Sequence, residues 1–351
     1  MHRKPRVEVV IPTHDRRDLV QSCLSALARQ TYRDFRSVVV DDGSGDGTAD
    51  AVRREFPDTR VVALPRNRGF AAAVNAGIRT SPSELVAILN NDAEAEPGWL
   101  GSLVRALDRL PDVDGAASLV LRADEPLTID AAGDGMSGLF IPYPVGSNER
   151  DDGRFDRERS VLAVSGCAAL FRRDLFDAIG FFDESFFAYF EDADFSLRAI
   201  LDGRRFVFVP EGRVRHVGAA STGGRFSPAS VRLSTRNLLF TLAKNLPTPL
   251  LVRSIPRIAA GQAWWFLKMA VKERHPLAWL AGAAAGVAGF AARRREGRAA
   301  RAAARIPWTD FSLALRRSAD EVAASIRRKR EDRRRAARAG SEAPSCEEAR
   351  A

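Results

Sequence analysis

The stretch A-I-L-N-N-D-A-E, residues 87–94, decides how this chain reads. An apolar run over residues 85–89 has the length and branching of a buried strand, and it stops at Asn90, Asn91, Asp92 and Glu94. In open α/β sheets the carboxyl ends of strands face the ligand crevice, so carboxylates placed there reach a bound metal or phosphate. The plain alternative is a strand end followed by a helix cap, and the segment alone does not separate the two.

Upstream, residues 7–11 form a β-branched run closed by Pro12, and residues 15–29 carry Leu19, Cys23, Leu24, Leu27 and Ala28 at helical spacing. Residues 37–40 repeat the strand pattern and end in D-D-G-S-G-D-G-T at 41–48, before a helix that reaches residue 56. A third strand at 61–64 and a helix at 71–79, preceded by N-R-G-F at 67–70, lead to the strand at 85–89. Strands alternating with helices imply βαβ units, a parallel sheet and right-handed crossovers. Asp41 and Asp42 directly follow a strand, with Gly43, Gly45 and Gly47 loosening the loop. They suit hydrogen bonding to a ribose or base edge; a glycine-rich turn capped by Asp46 is the other reading. The first strand–helix junction, P-T-H-D-R at 12–16, lacks G-x-G-x-x-G, which argues against a nicotinamide or flavin site.

Downstream, a helix over 99–110 and a strand over 114–121 precede residues 123–159, rich in Gly, Pro and charge. Without periodicity, that segment reads as long loops or an irregular hairpin that covers an active site. Y-F-E-D-A-D-F-S-L-R at 189–198 crowds Glu191, Asp192 and Asp194 into the first turn of a helix running to 201. Helix capping explains acids there. Their neighbours Phe187, Tyr189, Phe190 and Phe195 also desolvate them, and burial beside like charges raises a carboxylate pKa toward a useful general-base value. Strands at 205–209 and 214–217 follow, the second carrying His216, one of four histidines.

The chain of 351 residues suffices for one large domain with an appendage, and its 28% charged and 45% hydrophobic residues are those of a globular protein. Residues 1–6 run straight into the first strand without the pattern of a signal peptide, so a cytoplasmic location is expected. Cys23, Cys167 and Cys346 are widely spaced and suggest no disulfide framework. Up to residue 227 there are 29 basic and 35 acidic side chains; from 228 onward there are 25 and 10. An acidic, metal-using body joined to a basic segment that meets an anionic partner is the reading, either a membrane surface or nucleic acid.

V-V-I-P-T-H-D-R-R, V-V-D-D-G-S-G-D-G-T, N-R-G-F-A-A-A-V-N-A-G-I, I-L-N-N-D-A-E, S-G-C-A-A-L-F-R-R, G-F-F-D-E-S-F-F, Y-F-E-D-A-D-F-S-L-R and V-R-H-V-G stand in this order over residues 6–225. The order resembles that of family-2 glycosyltransferases, especially the rhamnosyltransferase-like branch. The resemblance implies the GT-A fold, a Rossmann-like, mostly parallel sheet flanked by helices, here with a basic helical C-terminal extension. It implies inverting transfer of a sugar from a UDP- or dTDP-sugar, dTDP-rhamnose among them, to a hydroxyl of a lipid-linked or cell-envelope glycan. Pro12, Thr13 and Asp15 would border the base, Asp41 bind the base, Asp42 the ribose side, and Asn67, Arg68 and Gly69 close on the donor. Asn75, Asn91 and Gly166 would complete the donor site. N-N-D fills the place of the family's D-x-D, so Asp92 would bind a divalent metal, Mg2+ or Mn2+, with Asn90 in place of the first aspartate and Glu94 in the outer shell. His216 would be the second metal ligand, and Asp192 the catalytic base, with Glu191 the fallback.

Residues 233–247 resemble the R-N helix that follows the catalytic domain in this branch. Residues 250–270 mix Trp264, Trp265 and Phe266 with Arg253, Pro256, Arg257 and Lys268, a pattern for a helix lying in a membrane interface. Residues 276–292 are uncharged but lie at the lower length limit for a span, so an interfacial or packed helix is expected. Arginine-rich residues 293–305 and 327–338 are expected to meet an anionic bilayer. The expected organisation is a catalytic domain over 1–227, a helical membrane-associating extension over 228–305, and a basic, partly disordered tail over 306–351. The protein would sit at the inner face of the cell membrane. A nucleotidyltransferase or a non-catalytic nucleotide-sugar-binding protein is the alternative. A nucleic-acid-binding module is weaker still, because the arginine runs lack interleaved aromatics, and no nucleic acid is expected.

Overall fold

The computed structural model describes residues 4–218 and 226–341. Strand and helix alternate at first: β1 (Val7–Thr13), α1 (Arg17–Ala28), β2 (Phe35–Asp41), α2 (Thr48–Glu55), β3 (Arg60–Ala63), α3 (Phe70–Thr80), β4 (Leu85–Leu89), β5 (Ala93–Ala95) and α4 (Trp99–Arg109). Then come β6 (Gly115–Arg122), β7 (Ile129–Ala132), β8 (Asp134–Met136), β9 (Pro142–Pro144), β10 (Arg159–Val161) and β11 (Ala168–Arg172). α5 (Arg173–Ile179), α6 (Glu191–Leu201) and β12 (Phe206–His216) complete the α/β body. The last third is helical: α7 (Pro228–Asn245), α8 (Thr248–Phe266) with a π-helical turn Leu267–Lys272, α9 (Pro276–Glu296), α10 (Arg298–Ala302) and α11 (Trp308–Ser341).

The sheet runs β10-β12-β6-β11-β4-β1-β2-β3, with β5 on β12 and β7 on β6. β3, β2, β1 and β4 are parallel, β12 is parallel to β6, and β11 runs against both of its neighbours. Every residue of β1 and β4 is buried, as expected of central strands covered on both faces. Val20, Leu24 and Leu27 of α1 pack one face with Leu100 and Leu103 of α4; Val74 and Ile78 of α3 pack the other with Phe195 of α6. There Phe182 and Phe195 stack at 4.6 Å between ring centroids, beside Phe171 and Phe176. The carboxyl ends of β1, β2 and β4 lie along one edge, because all three run the same way.

Several expectations are corrected. β1 runs on through Pro12, and the two strands expected at 205–217 are one strand, β12, whose register on β6 shifts between Val209 and Arg213. Residues 123–159, read as long loops or an irregular hairpin, hold β7 and the β8–β9 hairpin. Within the tail expected to be partly disordered over 306–351, residues 308–341 form α11, with Phe311, Val322 and Ser325 buried against the body; residues 342–351, with Cys346, lie outside the described residues. Among the described residues no helix is long and apolar enough to cross a membrane. The Ala/Gly run of α9 is instead a tight packing face. A Cβ on Gly282 would stand 2.4 Å from the Arg232 carbonyl oxygen of α7, and one on Gly286 would stand 2.6 Å from Leu239.

Two of the arginines of residues 293–305, Arg294 and Arg301, turn inward. Arg294 and Arg301 donate to the carbonyls of Ala243, Lys244 and Leu246 at the C-terminus of α7, where cations oppose the negative end of the helix dipole. Burial pushes the Arg301 guanidinium down to about 10. Arg305 pairs with Asp202 at 3.2 Å.

Candidate active site

A cavity of about 600 Å³ opens at the carboxyl ends of these strands, lined by residues from both halves of the sheet. β1 contributes Pro12 and Thr13, and Asn91, beyond β4, donates to Thr13 Oγ1 at 2.9 Å. Asp42 is 4% exposed, and its two oxygens accept the backbone N–H groups of Arg68 (2.8 Å) and Gly69 (2.7 Å), fixing the loop that opens α3. Burial raises its pKa against those donors. Gly69 has φ +88°, and a Cβ there would lie 2.5 Å from the Phe187 carbonyl oxygen, so this loop meets the 187–190 segment with no space for a side chain.

Asp92 is 6% exposed, with its Oδ1 3.2 Å from His216 Nε2 at the end of β12. The other imidazole nitrogen, Nδ1, lies 2.9 Å from Asp130 Oδ2 on β7. Burial disfavours the charged imidazole, but the Cys167 sulfur and the two carboxylates outweigh it and hold the pKa well above its ordinary value. A carboxylate on one nitrogen aims the other, as in carboxylate–histidine–metal sites. Asn90 Oδ1, also at the cavity, is buried without a hydrogen-bond partner. Oxygen donors with one imidazole suit Mg2+ or Mn2+. No group of three His, Cys, Asp or Glu side chains is poised for a metal among the described residues, so a ligand's own oxygens would have to fill the sphere. The residues fit a divalent ion on those terms.

Glu191 and Asp192 open α6. Asp192 Oδ2 accepts from Gly166 N at 3.0 Å and Oδ1 from Ala193 N at 2.8 Å; burial raises its pKa despite these donors. Glu191 is 5% exposed, its Oε2 has no partner, and burial with the charges of Asp192 and Asp194 lifts its pKa well above the carboxylate range. Asp194 faces away, into Arg198 (3.0 Å), Lys244 (3.0 Å) and Asn245 (2.8 Å). The segment before α6 is strained, with Phe187, Tyr189 and Phe190 at φ 66°, 73° and 67°. α7 holds it. Asn237, fully buried, donates from Nδ2 toward the carbonyls of Phe186 (3.0 Å), Ala188 (2.9 Å) and Tyr189 (2.8 Å), and Arg236 donates to those of Ser185 and Phe186.

The cavity thus gathers Pro12, Thr13, Asp42, Asn67, Gly69, Asn91, Asp92, Gly166, Glu191, Asp192 and His216. Asp15, Asp41, Arg68, Asn75 and Glu94 are not among its lining residues. Asp15 and Asp41 brace the glycine turn, accepting from Gly45 N and Ser44 N. The Arg68 side chain pairs with Glu184, and Asn75, fully buried, exchanges hydrogen bonds with the Phe182 backbone. Glu94 points outward because Ala93 and Ala95 take the buried positions of β5. Two acids escaped the sequence reading, Asp130 and Asp134. The alternation I-D-A at 129–131 is the signal that could have marked β7, but its neighbours in a glycine-rich segment hide it.

The glycosyl transferase family 2 model matches residues 8–180, and the glycosyl transferase family group 2 model matches residues 152–290. The chain is 30% identical over 236 residues to the N-acetylglucosaminyl-diphospho-decaprenol L-rhamnosyltransferase of Mycobacterium tuberculosis, covering 61% of this chain and 77% of that protein. It is 32% identical over 227 residues to the O-antigen biosynthesis protein RfbC of Myxococcus xanthus, covering 62% of this chain but 18% of that longer protein. Among solved structures it is similar in fold to S. aureus TarS 1-349 (TM-score 0.54, 16% identity, 93% of this chain and 92% of that one). GalNAc-T7 with UDP, GalNAc and Mn2+ is also similar (TM-score 0.54, 15% identity, 79% and 59%). With a GT-A sheet, a cavity at its carboxyl edge and a relative matched over most of its length, the chain belongs to glycosyl transferase family 2, in its rhamnosyltransferase-like branch.

Proposed function

We propose that the chain is an inverting glycosyltransferase that moves a sugar from a UDP- or dTDP-sugar to a hydroxyl of a lipid-linked or cell-envelope glycan. The observation that carries this is the meeting, in one cavity, of the Asp42-bound loop, the Asp92–His216 pair and the Glu191–Asp192 pair. The similarity to a rhamnosyltransferase acting on a diphospho-decaprenol makes dTDP-rhamnose and a polyprenyl diphosphate glycan the first donor and acceptor to try. Asp192 takes the proton of the acceptor hydroxyl. The freed oxygen attacks the anomeric carbon from the face opposite the diphosphate, whose bond to the sugar breaks as the nucleoside diphosphate leaves. Two backbone N–H groups fix the Asp192 carboxylate, which favours it over Glu191 as base. Asp92 and His216, with Asn90 beside them, would hold Mg2+ or Mn2+, which offsets the charge on the departing diphosphate when bound.

Chemistry in this reading belongs to residues 1–227, with membrane contact in 228–305. α8, its π-helical turn and the start of α9 expose Val252, Ile255, Trp264, Leu267, Val271 and Leu277. Exposed Arg253, Arg257, Lys272 and Arg274 lie among them, a combination that suits the interface of an anionic bilayer at the inner face of the cell membrane.

Incubation with dTDP-rhamnose, UDP-sugars, Mn2+ and a short-chain polyprenyl-diphosphate N-acetylglucosamine tests the reaction. An acceptor that gains one sugar of inverted anomeric configuration supports it. Donor binding with neither nucleotide release nor acceptor mass gain would favour the sugar-binding alternative, and an acceptor that gains a nucleotidyl group would favour the nucleotidyltransferase. Sedimentation with anionic but not neutral liposomes at low salt supports the membrane face; a protein left in the supernatant with both overturns it.

A further inference from the structure

The β8–β9 hairpin forms a wall of the cavity through Asp134, Gly135, Met136, Pro142 and Tyr143. Asp134 presents a carboxylate there whose Oδ1 is buried and has no hydrogen-bond partner. A buried acceptor of this kind is rare in native proteins unless its partner arrives with a ligand. Sugar hydroxyls are donors of the right sort. The hairpin enters the chain after β6, whereas Pro12, Asp42 and Asn67 come from the β1–β2–α3 half of the sheet. Asp134 and Asp192 line the same cavity, and burial, with the charges of Asp192 and Asp130, raises the Asp134 pKa well above the carboxylate range.

The hairpin does not stand alone. Ser318 Oγ of α11 accepts the buried Met136 N–H at 2.9 Å, and Ser325 Oγ accepts Gly146 N–H at 3.0 Å. Ser325 also donates to Glu149, a fully buried carboxylate that pairs with Arg328 at 2.7 Å. A Cβ on Gly135 would stand 2.6 Å from Ser318 Oγ and 2.9 Å from Val322, so the hairpin lies flush on the helix. Ser318, Val322 and Ser325 share one face at helical spacing.

We propose that the β8–β9 hairpin is the acceptor subsite, with Asp134 receiving a hydrogen bond from a hydroxyl of the acceptor sugar, and that α11 is the strut that holds it in register. This rests on the glycosyl transfer proposed above, in which the acceptor must reach Asp192. A hydrogen bond to a buried acid whose charge burial disfavours is worth roughly twofold to tenfold in binding.

The test separates acceptor from donor. Asp134→Ala and Ser318→Ala are each compared with the unsubstituted full chain for acceptor KM, with short-chain polyprenyl-diphosphate N-acetylglucosamine and dTDP-rhamnose. Calorimetric Kd for UDP and dTDP with Mn2+ reports the donor side. The expected result is an acceptor KM raised about threefold to tenfold in Asp134→Ala, and raised in Ser318→Ala, with nucleotide Kd within twofold of the unsubstituted chain. An unchanged acceptor KM in Asp134→Ala overturns the subsite, as does a nucleotide Kd that weakens in step. An unchanged KM in Ser318→Ala overturns the strut; if that variant does not fold, Ser325→Ala, which leaves the Glu149–Arg328 pair, decides the same point. No transfer by the unsubstituted chain overturns the proposed function itself, and this inference with it.

Discussion

Replacing Asn237 by alanine should cripple turnover from a position outside the α/β body. Asn237 sits on α7 with its amide turned toward three carbonyls of the segment that delivers Glu191 and Asp192. That segment contains three non-glycine residues in the left-handed region, each costing about 1–2 kcal/mol, so roughly 3–6 kcal/mol must be held in place. An amide carries two donor hydrogens, so two of the three contacts are made at once, each contributing about 1 kcal/mol net. Carbonyls left without partners add a further penalty of about 1–3 kcal/mol. The loss is then about 3–5 kcal/mol, and a loop free to relax moves Asp192 off the acceptor hydroxyl. Were all of it to fall on the chemical step, kcat would drop roughly 150- to 5,000-fold. Steady-state kinetics with saturating donor and acceptor would report it, while UDP affinity should stay within about threefold, because Asp42 and Asp92 keep their partners. A kcat within threefold of the unsubstituted enzyme, in a variant whose melting temperature nonetheless falls, would refute the reasoning, for the strained segment would then hold itself.

Asp192→Asn should retain nucleotide binding and lose roughly 10²- to 10⁴-fold in transfer; near-normal turnover would remove Asp192 as base. Asp92→Ala and His216→Ala should each weaken calorimetric UDP binding in Mn2+, and an unchanged Kd would dismiss the metal assignment. Because burial raises the Asp192 pKa and the base acts deprotonated, kcat should fall on the acid side with a midpoint above that of an ordinary aspartate; a flat profile down to pH 4 contradicts it. Asp183 behaves the opposite way: burial disfavours its charge, but the Lys244 ammonium at 2.6 Å and the Ser185 donors hold its pKa at about 2. Its contribution, roughly 2 kcal/mol, is present above about pH 4 and is lost as pH falls toward 2. The urea stability difference between the unsubstituted chain and Asp183→Asn should shrink over that window.

Sheet and crevice were legible because strand-ending polar clusters and apolar runs are local signals, and the parallel order followed from the alternation of strand and helix. Asp92, His216 and Asp192 converge from three distant segments, which no spacing reveals; the ordered motifs supplied that. Asn75 was misplaced because a polar residue one helical turn beyond N-R-G-F looks like part of the same loop, yet it points to the Phe182 backbone. Charge counts failed for Arg294 and Arg301, since composition does not record that a helix C-terminus waits beside them. α11 was hidden by its own arginines, whose number outweighed the spaced Phe311, Leu315, Val322 and Ser325 that bury it.

The contact between α11 and the hairpin joins residues 182 positions apart. Sheet and crevice are complete once β12 has been made, about 100 residues before Ser318 leaves the ribosome. At roughly 5–20 residues per second that interval lasts about 5–20 s. A nascent chain therefore possesses its crevice well before its hairpin has a backing. A nonsense or frameshift product ending anywhere in that interval would carry the crevice without the helix on which the hairpin lies, so α11 distinguishes such a fragment from a chain made past Ser325.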